Sequence, residues 1–200
     1  MSLFIAMCLY SFSMSITPGP VNLISFSAGV NFGFKRALSF ILGATIGFTL
    51  LLYLVGLGLS QTMGSLESDF MLLLGLLGAG FIFYMGLKVF QSEGEVKTKD
   101  AKPPKFLFGF MLQWLNPKAW LASLAGISAF GLVNDHPKLL MFISVYFVLC
   151  FIGIASWGAL GNKLRDWINS PAHLKRLNQL MGLLLMGVAV YLLVVQSVTG

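Results

Sequence analysis

Charged side chains are scarce in this sequence of 200 residues. Only 10% of the residues are Asp, Glu, Lys or Arg, and 57% are apolar. Soluble globular domains carry about 25% charged residues, so this composition excludes an ordinary water-exposed surface. The chain is predicted to be an integral membrane protein, with the lipid bilayer around it.

Groups that bind metals or perform catalysis are also few. The chain has two histidines and two cysteines, and its seven acids lie in predicted loops or at the edges of predicted spans: Glu67, Asp69, Glu93, Glu95, Asp100, Asp135 and Asp166. No cluster of His, Asp or Glu lies inside a predicted span, so no metal site is predicted. No nucleophile–base pair is visible either, and we predict no enzyme activity and no cofactor.

The two cysteines form no framework of disulfide bridges. Cys8 and Cys150 both fall inside predicted spans, where they are expected to pack as small apolar side chains. No basic segment precedes the first apolar stretch, since the first charge is Lys35. The first span is therefore predicted to stay in the protein and not to be cleaved as a secretory signal.

Six apolar stretches are long enough to cross a bilayer. A hydrocarbon core of about 30 Å requires about 20 helical residues. Stretches of that length lie at about 3–28, 38–60, 69–91, 106–131, 138–161 and 174–196. They lack the period-two alternation of barrel strands. The prediction is an all-α membrane protein with six transmembrane helices.

Positive charge lies on one side of these spans. Eleven of the thirteen Lys and Arg flank the loops after spans 1, 3 and 5: Lys35, Arg36, Lys88, Lys97, Lys99, Lys102, Lys105, Lys163, Arg165, Lys175 and Arg176. The opposite loops hold only Lys138, and Lys118 lies within span 4. The positive-inside rule puts the eleven in the cytoplasm and both termini on the other side. Charges spread along loop edges give no support to nucleic-acid binding.

The chain divides into two halves of three spans each. A hydrophilic linker at about 92–105 separates residues 1–91 from residues 106–200, within one transmembrane domain of residues 1–200. An odd number of spans per half makes the halves inverted relative to each other. With Pro20 placed over Pro117, the string "AGV" at 28–30 aligns with "AGI" at 125–127. We therefore predict two inverted three-helix repeats.

Proline interrupts the first span of each half. Pro18, Gly19 and Pro20 lie in span 1, and Pro117 lies in span 4. Proline has no amide hydrogen and clashes with the carbonyl four residues earlier. The carbonyls expected to be released are those of Met14, Ile16 and Gln113. A pair of broken helices is typical of a transporter's binding site, and an ordinary kink is the alternative.

Polar side chains lie beside both breaks. Asn22, Gln113 and Asn116 carry amides that suit either a ligand or a neighbouring helix. Trp157 is expected to pack or to anchor the protein at the membrane interface. Lys118 lies near the middle of span 4, about 18 Å from either predicted end, and a cation at this depth must be paired or must face water.

No acid inside a predicted span is available to pair with Lys118. It is therefore uncharged, or its counter-charge arrives with a substrate; a lysine that only satisfies the Gln113 carbonyl is a third interpretation. Its position at the start of the second half-helix, whose free amides attract anions, favours a substrate carboxylate. The predicted substrate site consists of Pro18, Gly19, Pro20, Asn22, Gln113, Asn116, Pro117 and Lys118.

Three strings resemble the LysE/RhtB family of bacterial amino-acid exporters. They are "TPGPVNLISFSAGVNFGFKRALSFILGATIGF" at 17–48, "GFMLQWLNPKAW" at 109–120 and "LNQLMGLLLMGVAVYLL" at 177–193. Within the family, the sequence is most similar to the cysteine and O-acetylserine exporter branch. The family motif often reads Pro-Gly-Pro-Asn; here Val21 takes the place of that asparagine, and Asn22 follows it.

The resemblance implies efflux of small amino acids or their derivatives across the bacterial inner membrane, driven by an ion gradient. Both termini would then be periplasmic, and a homodimer suits a bundle of this size. A proton is one candidate coupling ion, although the absence of acids in the spans leaves it without an obvious carrier. The lack of acids in the spans favours neutral substrates, similar to cysteine and O-acetylserine or to homoserine and threonine. A membrane thiol-redox carrier and a scaffold without transport are the alternatives.

Overall fold

The computed structural model describes residues 3–59, 67–91, 102–132, 135–165 and 170–199. Regular structure in these ranges is helical, which confirms the all-α prediction. The helices are α1 (Leu3–Ile16), α2 (Pro20–Phe32), α3 (Phe34–Leu54), α4 (Glu67–Phe90), α5 (Phe106–Trp114), α6 (Pro117–Ala129), α7 (His136–Arg165) and α8 (Pro171–Thr199). A π-helical turn, Val55–Leu59, extends α3. Most of the predicted linker, 92–101 with Lys97 and Lys99, lies outside the described residues.

Both predicted proline breaks are present as ends of helices. Pro20 is the first residue of α2, and Pro117 is the first residue of α6. Proline is tolerated at this position because the first amides of a helix have no partner within it. The axes of α1 and α2 differ in direction by 60°. The first and fourth predicted spans are thus each two helices.

The boundary between the first two predicted spans differs from the prediction. We expected span 1 to end near residue 28 and span 2 to begin near residue 38, but α2 continues to Phe32 and α3 begins at Phe34. Gly33 alone connects them, with a φ of 84° that favours glycine. The basic pair Lys35 and Arg36 therefore lies in the first turn of α3 and not in a loop.

Three described segments have the length and apolar composition of membrane spans. Phe34–Gly58, with 25 residues, and His136–Arg165, with 30 residues, meet the requirement as single helices. The pair α1 and α2 meets it as one bent span. The complete arrangement of six spans in two inverted repeats stays a prediction.

Glycines bring the helix backbones into direct contact. α4 packs against α8, α2 against α7 and α3 against α5. A Cβ atom built on Gly29 would lie 2.1 Å from the carbonyl oxygen of Gly158, and one on Gly182 would lie 2.6 Å from that of Gly86. A Cβ on Gly43 would lie 2.0 Å from a backbone oxygen of α5. Close approach through small residues is typical of helix packing in membranes.

Large apolar side chains cover the outer surface of the bundle. Leu77 of α4 is 56% exposed, and Leu183 and Tyr191 of α8 are 55% and 66% exposed. Exposed apolar area on this scale exceeds what soluble proteins show and suits contact with lipid. The polar groups described below lie inside the bundle.

Candidate functional site

The first break, between α1 and α2, is held by a buried asparagine. Gly19 precedes α2 in an extended conformation and supplies no side-chain cap. Asn22, which is 4% exposed, donates from Nδ2 to the carbonyl of Ser15 at 2.9 Å and to that of Thr17 at 2.8 Å. The predicted amide at this position is therefore used to satisfy carbonyls of the break.

A tryptophan from α7 satisfies another carbonyl of this break. The Nε1 atom of Trp157 donates to the carbonyl of Ile16 at 3.0 Å. The Ile16 carbonyl, which Pro20 was expected to release from its helix, is thus satisfied by another helix, and Trp157 does more than the expected packing or anchoring. Its ring also contacts Phe26 of α2, with centroids 6.3 Å apart. Trp157 thus connects α7 to both sides of the first break.

The second break, between α5 and α6, is closed by its own residues. Asn116 donates from its backbone nitrogen to the carbonyl of Gln113 at 3.2 Å, and its Oδ1 accepts from the backbone nitrogen of Lys118 at 3.2 Å. The backbone nitrogen of Ala119 donates to the Asn116 carbonyl at 2.9 Å. These contacts correct two expectations: the Gln113 carbonyl does not depend on Lys118, and the first amides of α6 are already satisfied.

The Lys118 side chain joins the second break to the first. Its Nζ atom donates to the carbonyl of Thr17 at 2.9 Å. A Cβ atom built on Gly19 would lie only 3.4 Å from that Nζ. The half-buried ammonium therefore lies at the uncapped beginning of α2, where free amides and the helix dipole favour an anion. The helix beginning that would attract a carboxylate beside Lys118 is thus that of α2, and not that of α6 as expected.

A cavity of about 400 Å³, which includes its opening to solvent, lies between the two breaks. Five of the eight predicted site residues line it: Gly19, Asn22, Gln113, Asn116 and Lys118. The three prolines, Pro18, Pro20 and Pro117, are not among the lining residues, and Pro20 and Pro117 set where α2 and α6 begin. Lys118 is the one charged residue among the described residues that line the cavity.

The remaining wall of the cavity was not predicted. It is formed by Met14, Ser15, Val21, Phe48, Ala119, Ala122, Tyr146, Cys150 and Ile154. Tyr146, Cys150 and Ile154 follow one another at intervals of four on α7, so they share a face of that helix. This spacing can be recognised in the sequence as one face of a helix. It does not show that this face lies next to the proline breaks.

The cavity is positive at one end and neutral elsewhere. No carboxylate is among the described residues that line it, and the described part of the chain contains no group of three or more His, Cys, Asp or Glu that could hold a metal ion. Such a site suits a molecule with a carboxylate and an uncharged body. The backbone carbonyls and side-chain amides of the breaks are acceptors of the kind that an ammonium group needs.

Comparison with known proteins identifies the family. The model of LysE type translocators matches residues 12–196. The chain belongs to this family. The translocator is 29% identical over 154 residues to the cysteine/O-acetylserine efflux protein of Klebsiella pneumoniae subsp. pneumoniae, a match that covers 76% of this chain and 74% of that protein. No solved structure matches the translocator.

Family membership confirms the resemblance seen in the sequence and supports amino-acid export in general. The translocator is accordingly a membrane transport protein, and its apolar helices fit a multi-pass protein of the inner membrane. Every residue that lines the cavity lies within the matched range 12–196.

Proposed function

We propose that this translocator exports small neutral amino acids or their derivatives, and that it binds the substrate carboxylate through Lys118. The observation that carries the proposal is the position of the Lys118 ammonium at the uncapped start of α2, in the wall of the cavity. In the structure the ammonium donates to a neutral carbonyl, that of Thr17. A carboxylate forms a stronger, charge-assisted hydrogen bond and replaces it.

The charge of the cavity supports a neutral substrate. A lysine or arginine substrate needs a carboxylate for its second positive charge, and none is present among the described lining residues. The similar Klebsiella protein is named for efflux of cysteine and O-acetylserine, both of which are small and have uncharged side chains. Substrates of that kind are therefore proposed first, and homoserine or threonine second.

We propose that the six spans form two inverted repeats in one domain of residues 1–200, with the repeats at about 1–91 and 106–200. The pattern of helix contacts supports this pairing. The repeats relate α1 to α5, α2 to α6, α3 to α7 and α4 to α8. The contact of α3 with α5 then corresponds to that of α7 with α1, and the contact of α4 with α6 corresponds to that of α8 with α2. The contacts of α3 with α7 and of α4 with α8 each join two equivalent helices, one from each repeat, so the symmetry relates each contact to itself. A two-fold axis in the membrane plane produces this pattern.

Both termini are proposed to be periplasmic. The distribution of eleven cations on one side against one on the other supports this orientation. That one cation, Lys138, forms a salt bridge of 2.6 Å with Asp135.

An ion gradient is proposed to drive export, with a proton as the coupling ion, and a homodimer is the proposed assembly. The test is transport by the purified protein in lipid vesicles loaded with labelled serine, cysteine, O-acetylserine, homoserine, threonine or lysine. We expect efflux of the neutral compounds, faster with a proton gradient imposed, and little efflux of lysine. Efflux of lysine above the others would contradict the substrate assignment. No efflux of any compound would favour the scaffold alternative.

A further inference from the structure

A buried serine in the wall of the cavity carries a hydroxyl without a well-formed hydrogen bond among the described residues. Ser15 lies in the last turn of α1, is 8% exposed and lines the cavity. Its Oγ atom has no hydrogen-bond partner of normal geometry among the described residues. A buried hydroxyl without a partner is unfavourable, so its position in the wall of the cavity calls for an explanation.

Other hydroxyls in these helices are satisfied locally. The side chains of Thr45, Ser123 and Ser144 each donate to the carbonyl four residues earlier, at 2.8 to 2.9 Å. This contact is the ordinary one for Ser and Thr inside a helix. Ser15 does not make it, although its own helix offers the Ser11 carbonyl at the same spacing. Ser11, one turn earlier, lacks this contact too, but of the two serines Ser15 is the one that lines the cavity.

The surroundings of Ser15 are polar but do not satisfy it. The Tyr146 hydroxyl and the Cys150 thiol lie beside the Ser15 hydroxyl as weak hydrogen-bonding neighbours, but neither contact has the geometry of a normal hydrogen bond, and all three residues line the cavity. Ser15 also packs tightly against α7, since a Cβ atom built on Gly153 would lie 2.8 Å from the Ser15 Cβ. The side chain is thus held in place in the wall of the cavity, where a molecule inside the cavity can reach its hydroxyl.

We infer that Ser15 determines specificity by hydrogen-bonding a polar atom on the β-carbon of the substrate. A hydroxyl both donates and accepts, so it pairs with a hydroxyl, a thiol or an ester oxygen. The preferred substrates are then α-amino acids that carry such a group on Cβ, and alanine, which lacks it, is disfavoured. A site built to hydrogen-bond a polar group rejects the analogue without it, because the site's own group stays unpaired. This inference rests on the proposed function.

The experiment compares efflux of labelled serine, cysteine under reducing conditions, and alanine from vesicles that contain the parent, Ser15→Ala or Ser11→Ala. Ser11 is the matched control, because its hydroxyl is buried and unpartnered on the same helix, one turn earlier, but does not line the cavity. We expect the parent to prefer serine and cysteine to alanine. Ser15→Ala should reduce that preference about three- to tenfold, the value of one hydrogen bond, and Ser11→Ala should leave it unchanged.

The possible results separate this inference from the proposed function. If the parent moves none of these three amino acids and none of the other neutral compounds of the transport test above, the proposed function fails, and the inference fails with it. If the parent moves alanine as well as the others, or if both serine variants keep the parent's preference, only the inference is overturned. Ser15→Cys, which keeps a weak donor of similar size, should give a preference between those of the parent and Ser15→Ala. Should Ser15→Ala reach the membrane poorly, a preference of Ser15→Cys equal to the parent's would also overturn the inference.

Discussion

The ammonium of Lys118 donates a hydrogen bond of 2.9 Å to the carbonyl of Thr17, across 101 positions of sequence. Thr17 lies between α1 and α2, and Lys118 lies in the first turn of α6. One contact therefore joins the two interrupted helices at the wall of the cavity. Because a substrate carboxylate competes for the same ammonium, its binding would change the connection between the two breaks.

Removing the Asn22 amide should destabilise the first break. In Asn22→Ala the buried Ser15 carbonyl loses its donor, and an unsatisfied buried carbonyl costs about 1–3 kcal/mol. We expect a lower midpoint of thermal unfolding in detergent and weaker efflux. Asn116→Asp is a suitable control for the unfolding midpoint alone, because an aspartate oxygen can still cap α6, whereas its efflux would be altered by a new carboxylate beside Lys118. An Asn22→Ala protein as stable and as active as the parent would show that the amide is dispensable.

Adding one methyl group between α4 and α8 should have a large effect. In Gly182→Ala the new Cβ would lie 2.6 Å from the Gly86 carbonyl oxygen and 2.6 Å from the Phe90 backbone nitrogen. The helices must move apart, at a cost of about 1–3 kcal/mol. Gly187→Ala, on the same helix with nothing within 4 Å, is the control. Thermal unfolding should show a lower midpoint for the first variant and no loss for the second.

The thiols should be dispensable. Cys8 is half-buried, Cys150 is buried, and both are free thiols. Cys150 lines the cavity, but the proposed mechanism does not use its thiol as a donor or an acceptor. The combined change of Cys8 and Cys150 to serine should therefore leave most of the efflux intact. If transport is lost while the amount of protein in the membrane is normal, a thiol-redox carrier becomes the better interpretation.

The proposed orientation is open to a direct test with fusion proteins. Alkaline phosphatase is active only in the periplasm, so its fusion after Gly200 should be active and its fusion after Lys99 inactive. This expectation follows from the cations on the cytoplasmic side. The opposite pattern of activity would reverse the topology and the direction in which the cavity opens.

The positions of the breaks could be predicted from the sequence, because proline acts on the backbone of its own segment. The partners of the freed carbonyls could not. Trp157 and Lys118 reach the first break from α7 and α6, and only the folded arrangement brings these segments together. Five of the eight predicted site residues line one cavity because they lie at the two breaks.

Ser15, Tyr146 and Cys150 were not predicted as site residues. Each is of a type that commonly packs inside a helical bundle, and their role depends on the cavity next to them. The boundary at Gly33 was also placed wrongly, because the helices continue beyond their apolar stretches and leave a single residue between them.

The most direct test of the central claim is a binding titration of purified Lys118→Met with the amino acid that the parent exports best. The account predicts that Lys118→Met inserts normally into the membrane but loses binding, and that Lys118→Arg recovers only part of it, because a planar guanidinium replaces a compact charge. Lys105→Met, which removes a cation just before α5 and outside the cavity, should bind as the parent does. If Lys118→Met binds the amino acid as tightly as the parent, Lys118 does not hold the carboxylate.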